Sequence, residues 1–365
     1  MSLMQAISQR ALDRAVPLSV QLDVTYRCNE RCIHCYLDHN DRGEMTTEEI
    51  CGVLDELAEA GVFFLTLSGG EVFMRRDFFE IVSHARSLLF CVKVKTNAFM
   101  IQENEARRLS ELAVQEVQVS IYSHRAEVHD AITLLPESLK RSVAGIRLLR
   151  AHGVKVVIAN VLMMQNWSDY PGVKELAREL GAEYTTDPTI TPMMDGERSV
   201  LRLGLGADQL WEAFRDPDLV GDVAEFCAPP PQVNDDMFRE LPCSAGHTAC
   251  YISPYGDVFP CVQFPLPCGN VRRQKFMDIW RYSEQLNEVR SITLGDLPVC
   301  SECSHAGSCT RCPGLAYMEG NMRGPSILDC QKSYARTGIR TANMKLRQAD
   351  AATHGLVQIA ATQTI

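Results

Sequence analysis

Cys28, Cys32 and Cys35 stand in the run Arg27-Cys28-Asn29-Glu30-Arg31-Cys32-Ile33-His34-Cys35-Tyr36, a C-x3-C-x2-C spacing. Three thiolates on one short loop can bind three irons of a cubane 4Fe–4S cluster, and with no fourth cysteine nearby one iron stays open to an outside ligand. The same loop admits a structural zinc site built from Cys32, Cys35, His34 and a further ligand, although zinc prefers four closed ligands. A second field comes much later: Cys243, Cys250, Cys261, Cys268, then Cys300-x2-Cys303-x5-Cys309-x2-Cys312, and Cys330. Alone, Cys300-x2-Cys303 with Cys309-x2-Cys312 reads as a zinc knuckle. That reading strands Cys243, Cys261 and Cys330, because one zinc needs only four ligands.

Such loops need a scaffold. From Leu18 to Pro188 short β-branched runs alternate with helical periods, the pattern of repeated βα units on a parallel sheet. The expected strands are Leu18–Val24, Val62–Leu67, Val92–Lys95, Val117–Ile121, Val154–Ile158 and Glu183–Thr186. A helix over Thr46–Ala60 opens with a Thr46-x-x-Glu49 capping box and turns Ile50, Val53, Leu54 and Leu57 to one face. Val173, Leu176, Ala177 and Leu180 form another stripe, which stops at Gly181. The fold class is therefore α/β, a partial (β/α)6 TIM-like barrel short of the eight units that close one, with reactive groups at the C-terminal strand ends. The triplet directly follows the first strand.

The blocks read from the sequence are an N-terminal segment (1–17), the barrel (18–190), a bridging segment (191–241) containing Pro229, Pro230 and Pro231, a small cysteine-rich domain (242–332) and a helical, then frayed, tail (333–365). Apart from a helical period around Phe276–Val289 the cysteine-rich block has too few apolar stripes for a conventional core, so bound metal is expected to hold it. The 365 residues are 46% hydrophobic and 22% charged, which excludes a disordered or collagen-like chain. No apolar run approaches the ~18 residues of a membrane span, and no export signal opens the chain. A cytoplasmic protein is expected, and in that reducing compartment 15 cysteines point to metal rather than disulfides. The net charge of −10 argues against nucleic acid or an anionic membrane as main partner. Cys51 and Cys91, inside a helix and a strand, are expected to be small buried hydrophobes.

The triplet resembles that of the radical S-adenosylmethionine (SAM) superfamily, in which the open iron binds the amino and carboxylate groups of SAM. A second motif strengthens the resemblance: Ser68-Gly69-Gly70-Glu71 ends the second strand, with Gly69 placed 34 residues after Cys35. The family carries Gly-Gly-Glu there to hold the SAM ammonium, since residues without Cβ let carbonyls approach closely and a carboxylate complements an ammonium. By the same resemblance Tyr36, Thr96, Asn97, Ser120 and Asn160 are cofactor-binding candidates, with His129 and Asp130 matching loosely. The implied chemistry is one-electron cleavage of SAM to methionine and a 5′-deoxyadenosyl radical, which abstracts hydrogen from an unactivated C–H bond; the cofactor carries the hard step and the protein shields it.

The later field is similar to a SPASM domain, C-x(9–15)-G-x4-C followed by C-x2-C-x5-C-x3-C and a final Cys. Here Gly256-x4-Cys261 fits, and 12 residues separate Cys243 from Gly256, but Cys309 and Cys312 are two apart rather than three. The resemblance implies two auxiliary iron–sulfur clusters, one on Cys300, Cys303, Cys309 and Cys330, the other on Cys243, Cys261 and Cys312 with Cys250 or Cys268 as fourth ligand. It spans roughly Leu18 to Lys332.

Enzymes of this kind modify ribosomally made peptides, mature sulfatases or trim haem side chains. Sulfatase maturases carry an Asp after the cysteine matching Cys261, where this chain has Val262. The reading is modification of a ribosomal peptide by cross-linking or oxidation at a side-chain carbon, with haem or tetrapyrrole side-chain modification as the alternative and a non-catalytic electron-transfer protein as a second. Only 27 residues precede Cys28, so a peptide substrate is expected to come with a separate carrier protein. A flavodoxin or ferredoxin donor would dock on a basic patch such as Arg272, Arg273 and Lys275. Tyr122, His124 and His129 are candidate pocket residues from their loop positions.

Overall fold

The computed structural model describes residues 9–40 and 42–346. Six strands lie side by side in chain order, each adjacent pair parallel: β1 (Ser19–Thr25), β2 (Phe64–Gly69), β3 (Cys91–Thr96), β4 (Glu116–Ser120), β5 (Val156–Val161) and β6 (Glu183–Asp187). Parallel neighbours need crossovers, supplied here by α1 (Thr47–Glu59), α2 (Phe78–Ser87), α3 (Glu103–Glu111), α4 (Ala126–Thr133), α5 (Ser138–Ala151) and α6 (Tyr170–Glu179). The capping box at α1 forms as expected, and Ile50, Val53, Leu54 and Leu57 are buried. After α6, Gly181 takes φ +63°, a left-handed turn that ends the stripe of Val173 and Ala177.

A parallel sheet packed on both faces reads as near-continuous apolar runs. These strands alternate instead. Val20, Leu22, Val24, Leu65, Leu67, Val92, Val94, Val117 and Val119 are fully buried in the main hydrophobic core, whereas Ser68, Lys95, Gln118 and Ser120 on the opposite face line a cavity. The alternation leaves one face of the sheet polar, and there the loops gather.

The sheet continues past β1. β7 (Ala249–Ile252) pairs parallel to β1 on its other side, and β8 (Asp257–Phe259) and β9 (Gly269–Asn270) follow antiparallel, giving nine strands. The helical period over 276–289 resolves into α7 (Phe276–Tyr282) and α8 (Glu284–Arg290), split because Ser283 is extended and caps the second helix through Leu286 N. Phe276, Ile279, Trp280 and Leu286 join the main core. This part of the cysteine-rich block, where the helical period falls, is held by strand pairing and apolar packing.

By packing, one compact unit comprises the described residues up to Gln209 with Ser244–Ser291, and the other Leu210–Cys243 with the described residues from Ile292. The second unit contains the short helices Pro217–Val220 and Val223–Phe226, then α9 (Pro313–Met318) and α10 (Ile327–Thr337). Of the expected N-terminal segment and tail, residues 1–8 and 347–365 lie outside the described residues. No helix among the described residues is long and apolar enough to cross a membrane.

Candidate active site

The triplet loop leaves the C-terminal end of β1 and is fixed from two sides. Arg31 N donates to Thr133 O and Ile33 N to Ile132 O, both 3.0 Å, anchoring it to the end of α4; Cys35 N donates to Cys32 O at 3.0 Å, folding the loop back on itself. Glu44, in the lead into α1, accepts from Thr25 Oγ1 (2.8 Å) and Tyr26 N (2.7 Å) and so sets the departure angle. All three thiols face a cavity of about 450 Å³, a size ordinary for small-ligand sites.

Gly69 and Gly70 line the same cavity. Gly70 N donates to Thr25 O (2.8 Å) and Glu71 N to Arg27 O (2.9 Å), clamping the end of β2 to the loop. A Cβ on Gly69, whose φ is +142°, would stand 2.1 Å from Thr25 O; one on Gly70 would stand 2.4 Å from Arg27 O. The close approach expected of this pair is therefore real, but its immediate object is the cysteine loop.

Glu71 departs from expectation. Its side chain is fully buried and does not line the cavity. Oε1 accepts from Phe73 N (3.1 Å) and Thr96 Oγ1 (2.8 Å), Oε2 from Asn97 N (2.8 Å) and Thr96 Oγ1 (2.8 Å). The carboxylate meant for an ammonium instead braces the end of β3, because the amides and hydroxyl nearest to it belong to the chain itself. Burial pushes its carboxyl up, and these hydrogen bonds pull it back. Glu71→Gln puts an NH2 where an acceptor is needed and is expected to cost about 2 kcal/mol of stability, seen as a lower melting temperature, while SAM affinity stays within a few-fold. A large affinity loss at unchanged melting temperature would return Glu71 to the ligand.

Among the described residues two carboxylates do line the cavity, Asp187 and, inside the triplet, Glu30. Glu30 is 3% exposed, accepts from Cys32 Sγ at 3.3 Å, and leaves Oε1 buried without a partner. Burial raises its carboxyl to about 7. Sequence reasoning passed over it because a glutamate between cysteines looks like a solvated loop residue. Burial likewise pushes the Cys28 thiol up to about 12 and Cys32 and Cys35 upward, with neighbouring carboxylates and thiols adding to the rise. Bound iron reverses that balance, since a coordinating thiol is deprotonated outright.

Thr96, Asn97, Ser120 and Asn160 all line the cavity. Asn160 Nδ2 donates to Ile121 O (2.7 Å), and Asn97 Nδ2 to Asn29 Oδ1 (2.9 Å). Tyr36 also lines it, with its hydroxyl turned to Asp23 Oδ2 at 3.4 Å. Tyr251 donates to the same oxygen at 2.9 Å and lies 2.6 Å from the Tyr26 hydroxyl. Burial raises Asp23 to about 6. Tyr122 lines the cavity and packs edge-on to His34, 4.7 Å between ring centres. His129 does not line it but supports Tyr122 from behind, accepting from Tyr122 N at 3.1 Å. Asp130 receives Glu137 N, Ser138 Oγ and Leu139 N at the start of α5. His124 is exposed and lies over Gly172, away from the cavity.

In the second unit, Cys300, Cys303, Cys309 and Cys330 line one cavity together. The other expected set is divided between the units, Cys250 and Cys261 in the first, Cys243 and Cys312 in the second. Cys250 and Cys268 are 4% and 7% exposed and belong to the apolar core, where burial raises both thiols. Cys51 and Cys91 are half-buried rather than core residues: Cys91 alternates with buried Val92, and Cys51 lies off the buried face of α1. Arg272 of the proposed basic patch is engaged by Glu49 at 2.9 Å; Arg273 and Lys275 are exposed.

The site fits an iron–sulfur cluster with an attached polar ligand on three observations: three thiols on one cavity wall, a glycine cradle that a Cβ would fill, and the buried unpartnered atoms Glu30 Oε1, His34 Nδ1 and His39 Nε2 beside them. Among the described residues no three His, Cys, Asp or Glu side chains converge on a single metal point; a cubane, with one iron per ligand, needs no such convergence.

Comparisons with known proteins agree. A model of the radical SAM superfamily matches residues 22–177, and one of the SPASM iron–sulfur cluster-binding domain matches 243–313. The chain is 30% identical over 314 residues to mycofactocin maturase MftC of Mycobacterium tuberculosis, covering 82% of this chain and 78% of that one. It is 28% identical over 324 residues to the AdoMet-dependent heme synthase of Methanosarcina barkeri, covering 82% and 92%. In structure it is similar to Streptococcus suis SuiB bound to precursor peptide SuiA, with a TM-score of 0.71 at 16% identity over 89% of this chain and 80% of that one.

Proposed function

This chain belongs to the radical SAM superfamily and is an enzyme of its SPASM branch, and from that premise we propose that it modifies a ribosomally made peptide, joining or oxidising a side-chain carbon. Membership removes the reading as a non-catalytic electron carrier. A 4Fe–4S cluster with SAM at the triplet would supply the radical that takes hydrogen from an unactivated C–H bond, and auxiliary clusters would serve electron traffic or substrate anchoring. In this reading Cys28, Cys32 and Cys35 hold the cluster, and the backbones of Gly69 and Gly70, clamped to the loop, form the adjoining wall. Thr96, Asn97, Ser120 and Asn160 offer hydrogen bonds to the nucleotide. Tyr36 and Tyr122 close the apolar sides.

One observation carries the choice of substrate. Among the described lining residues Lys95 is the one lysine or arginine; burial disfavours its charged form, and its amine already donates to Gln21 Oε1 at 3.0 Å and faces Asp23. The lining also includes Thr185, Thr186, Asp187, Thr189, Thr191 and Glu30, while burial lowers His34 to about 4. A tetrapyrrole bearing several carboxylates needs cations to replace its hydration. A peptide backbone needs hydroxyl and amide partners, which this wall offers. The relatives divide too, since a mycofactocin maturase and an AdoMet-dependent heme synthase are both similar to this chain.

The test is anaerobic incubation of reconstituted enzyme, SAM and dithionite with a short peptide encoded beside this gene, and separately with carboxylated tetrapyrroles. The expected result is a peptide lighter by two hydrogens per event, formed together with 5′-deoxyadenosine. Unchanged peptide with a shortened tetrapyrrole would overturn the reading. A carrier protein for the peptide and a flavodoxin or ferredoxin donor belong to the same proposal; with Arg272 paired to Glu49, the donor's contact falls to Arg273 and Lys275.

A further inference from the structure

The cavity of the second unit is walled by Cys300, Cys303, Cys309 and Cys330, and Arg311 shares that wall. Arg311 is only 5% exposed. Its Nε donates to Gly324 O at 2.9 Å and its Nη2 to the carbonyls of Gly324 and Met322, while Nη1 is buried without a partner. No carboxylate is among these partners. A guanidinium stays charged at any working pH, and a buried charge without an opposite charge is strongly destabilising. The carbonyls fix its orientation but bring no net charge. The residues that share its wall can supply the opposite charge: four thiolates around an iron–sulfur cluster carry net negative charge, and each added electron increases it.

A fixed cation beside such a centre stabilises the reduced form more than the oxidised one, so it raises the reduction potential. Hydrogen bonds to the sulfurs act in the same sense, and three are provided: Ala342 N to Cys303 Sγ (3.3 Å), Ser333 Oγ to Cys309 Sγ (3.3 Å) and Asn343 Nδ2 to Cys330 Sγ (3.7 Å). Burial pushes the Cys300 thiol up, and Arg311 works against that rise. Carboxylates neighbour both cysteine sets, Asp329 near Cys309 and Cys330 and Glu71 and Glu30 near Cys28, but Arg311 shares the cavity wall of the second set, whereas among the described residues no arginine lines the cavity of the triplet.

We propose that Arg311 is the counter-charge of the iron–sulfur cluster on Cys300, Cys303, Cys309 and Cys330, and that it holds this centre at a higher reduction potential than the cluster at the triplet. The proposal rests on reading these four cysteines as ligands, and its test separates the two claims. Reconstituted holoenzyme is titrated with dithionite and followed by electron paramagnetic resonance, with iron counted in each variant. Arg311→Gln is expected to make reduction of one centre about tenfold less favourable, about 59 mV for one electron, at unchanged iron content. Arg311→Lys, which keeps the charge, is expected to recover most of the shift. Unchanged potentials in Arg311→Gln overturn the role of Arg311, and so does an Arg311→Lys variant that matches Gln. Should Arg311→Gln lose iron, the Arg311→Lys titration decides alone. Cys330→Ala is expected to lose a cluster; if its iron equals that of the wild type, or if the site holds zinc, the ligand reading falls whatever Arg311 does.

Discussion

Cys32→Ala is expected to lower 5′-deoxyadenosine formation on the order of a thousandfold or more, to the level of a protein-free control. The size follows from position. Cys32 is the middle thiol of the loop, and its sulfur contacts Glu30 Oε2 inside the cavity. The neighbouring groups, Glu30, His34 and Tyr122, offer no soft donor to replace a thiolate. Iron should fall by about four atoms per chain, one cubane, while the later cysteines keep theirs. Chromatography of the quenched reaction and iron analysis give both readings. If the nucleoside persists at a tenth of the wild-type rate, the triplet is not where SAM is cleaved.

The second large effect is expected at Gly69. Its φ of +142° is one that L side chains avoid, and a Cβ would meet Thr25 O at 2.1 Å. Neither side can yield, because Gly70 N and Glu71 N hold Thr25 O and Arg27 O at 2.8 and 2.9 Å. Gly69→Ala should cost about 3 kcal/mol, combining an unfavourable backbone region with overpacking, and should weaken SAM binding more than tenfold by displacing the loop. Gly61→Ala is the control, since Gly61 also has positive φ (+87°) but open space where the Cβ would go. Thermal unfolding under nitrogen and equilibrium dialysis with labelled SAM check both. Equal melting temperatures for the two variants would mean that the strand end is softer than its hydrogen bonds imply.

Much of this site was legible in the sequence because its determinants are local. The C-x3-C-x2-C run, the Gly-Gly after a strand and the Thr46/Glu49 box each occupy a few consecutive residues, and the six strand positions followed from β-branched runs. What escaped depends on partners far along the chain. The fate of Glu71 is decided by Thr96 and Asn97, which no inspection of Gly-Gly-Glu could supply. β7, β8 and β9 have four, three and two residues, too few for a period, and gain their definition only from pairing that starts with β1. Arg311 looks like any loop arginine until its exposure is known. One signal was present and unused: the alternation in VQLDVT, VKVKT and VQVS says that one face of this parallel sheet is wet.

The pairing of β7 with β1 bears on how such proteins can be cut and recombined. β1 lies between β2 and β7, so a fragment ending before residue 244 would leave a row of amide and carbonyl groups bare along the strand that leads into the cysteine loop. Bare strand borders recruit other chains and precipitate. The motif boundary that a reader of the sequence would choose as a splice point therefore runs through a shared ladder, and the two halves can be traded between relatives only if the cassette carries β7 through β9 along with the barrel.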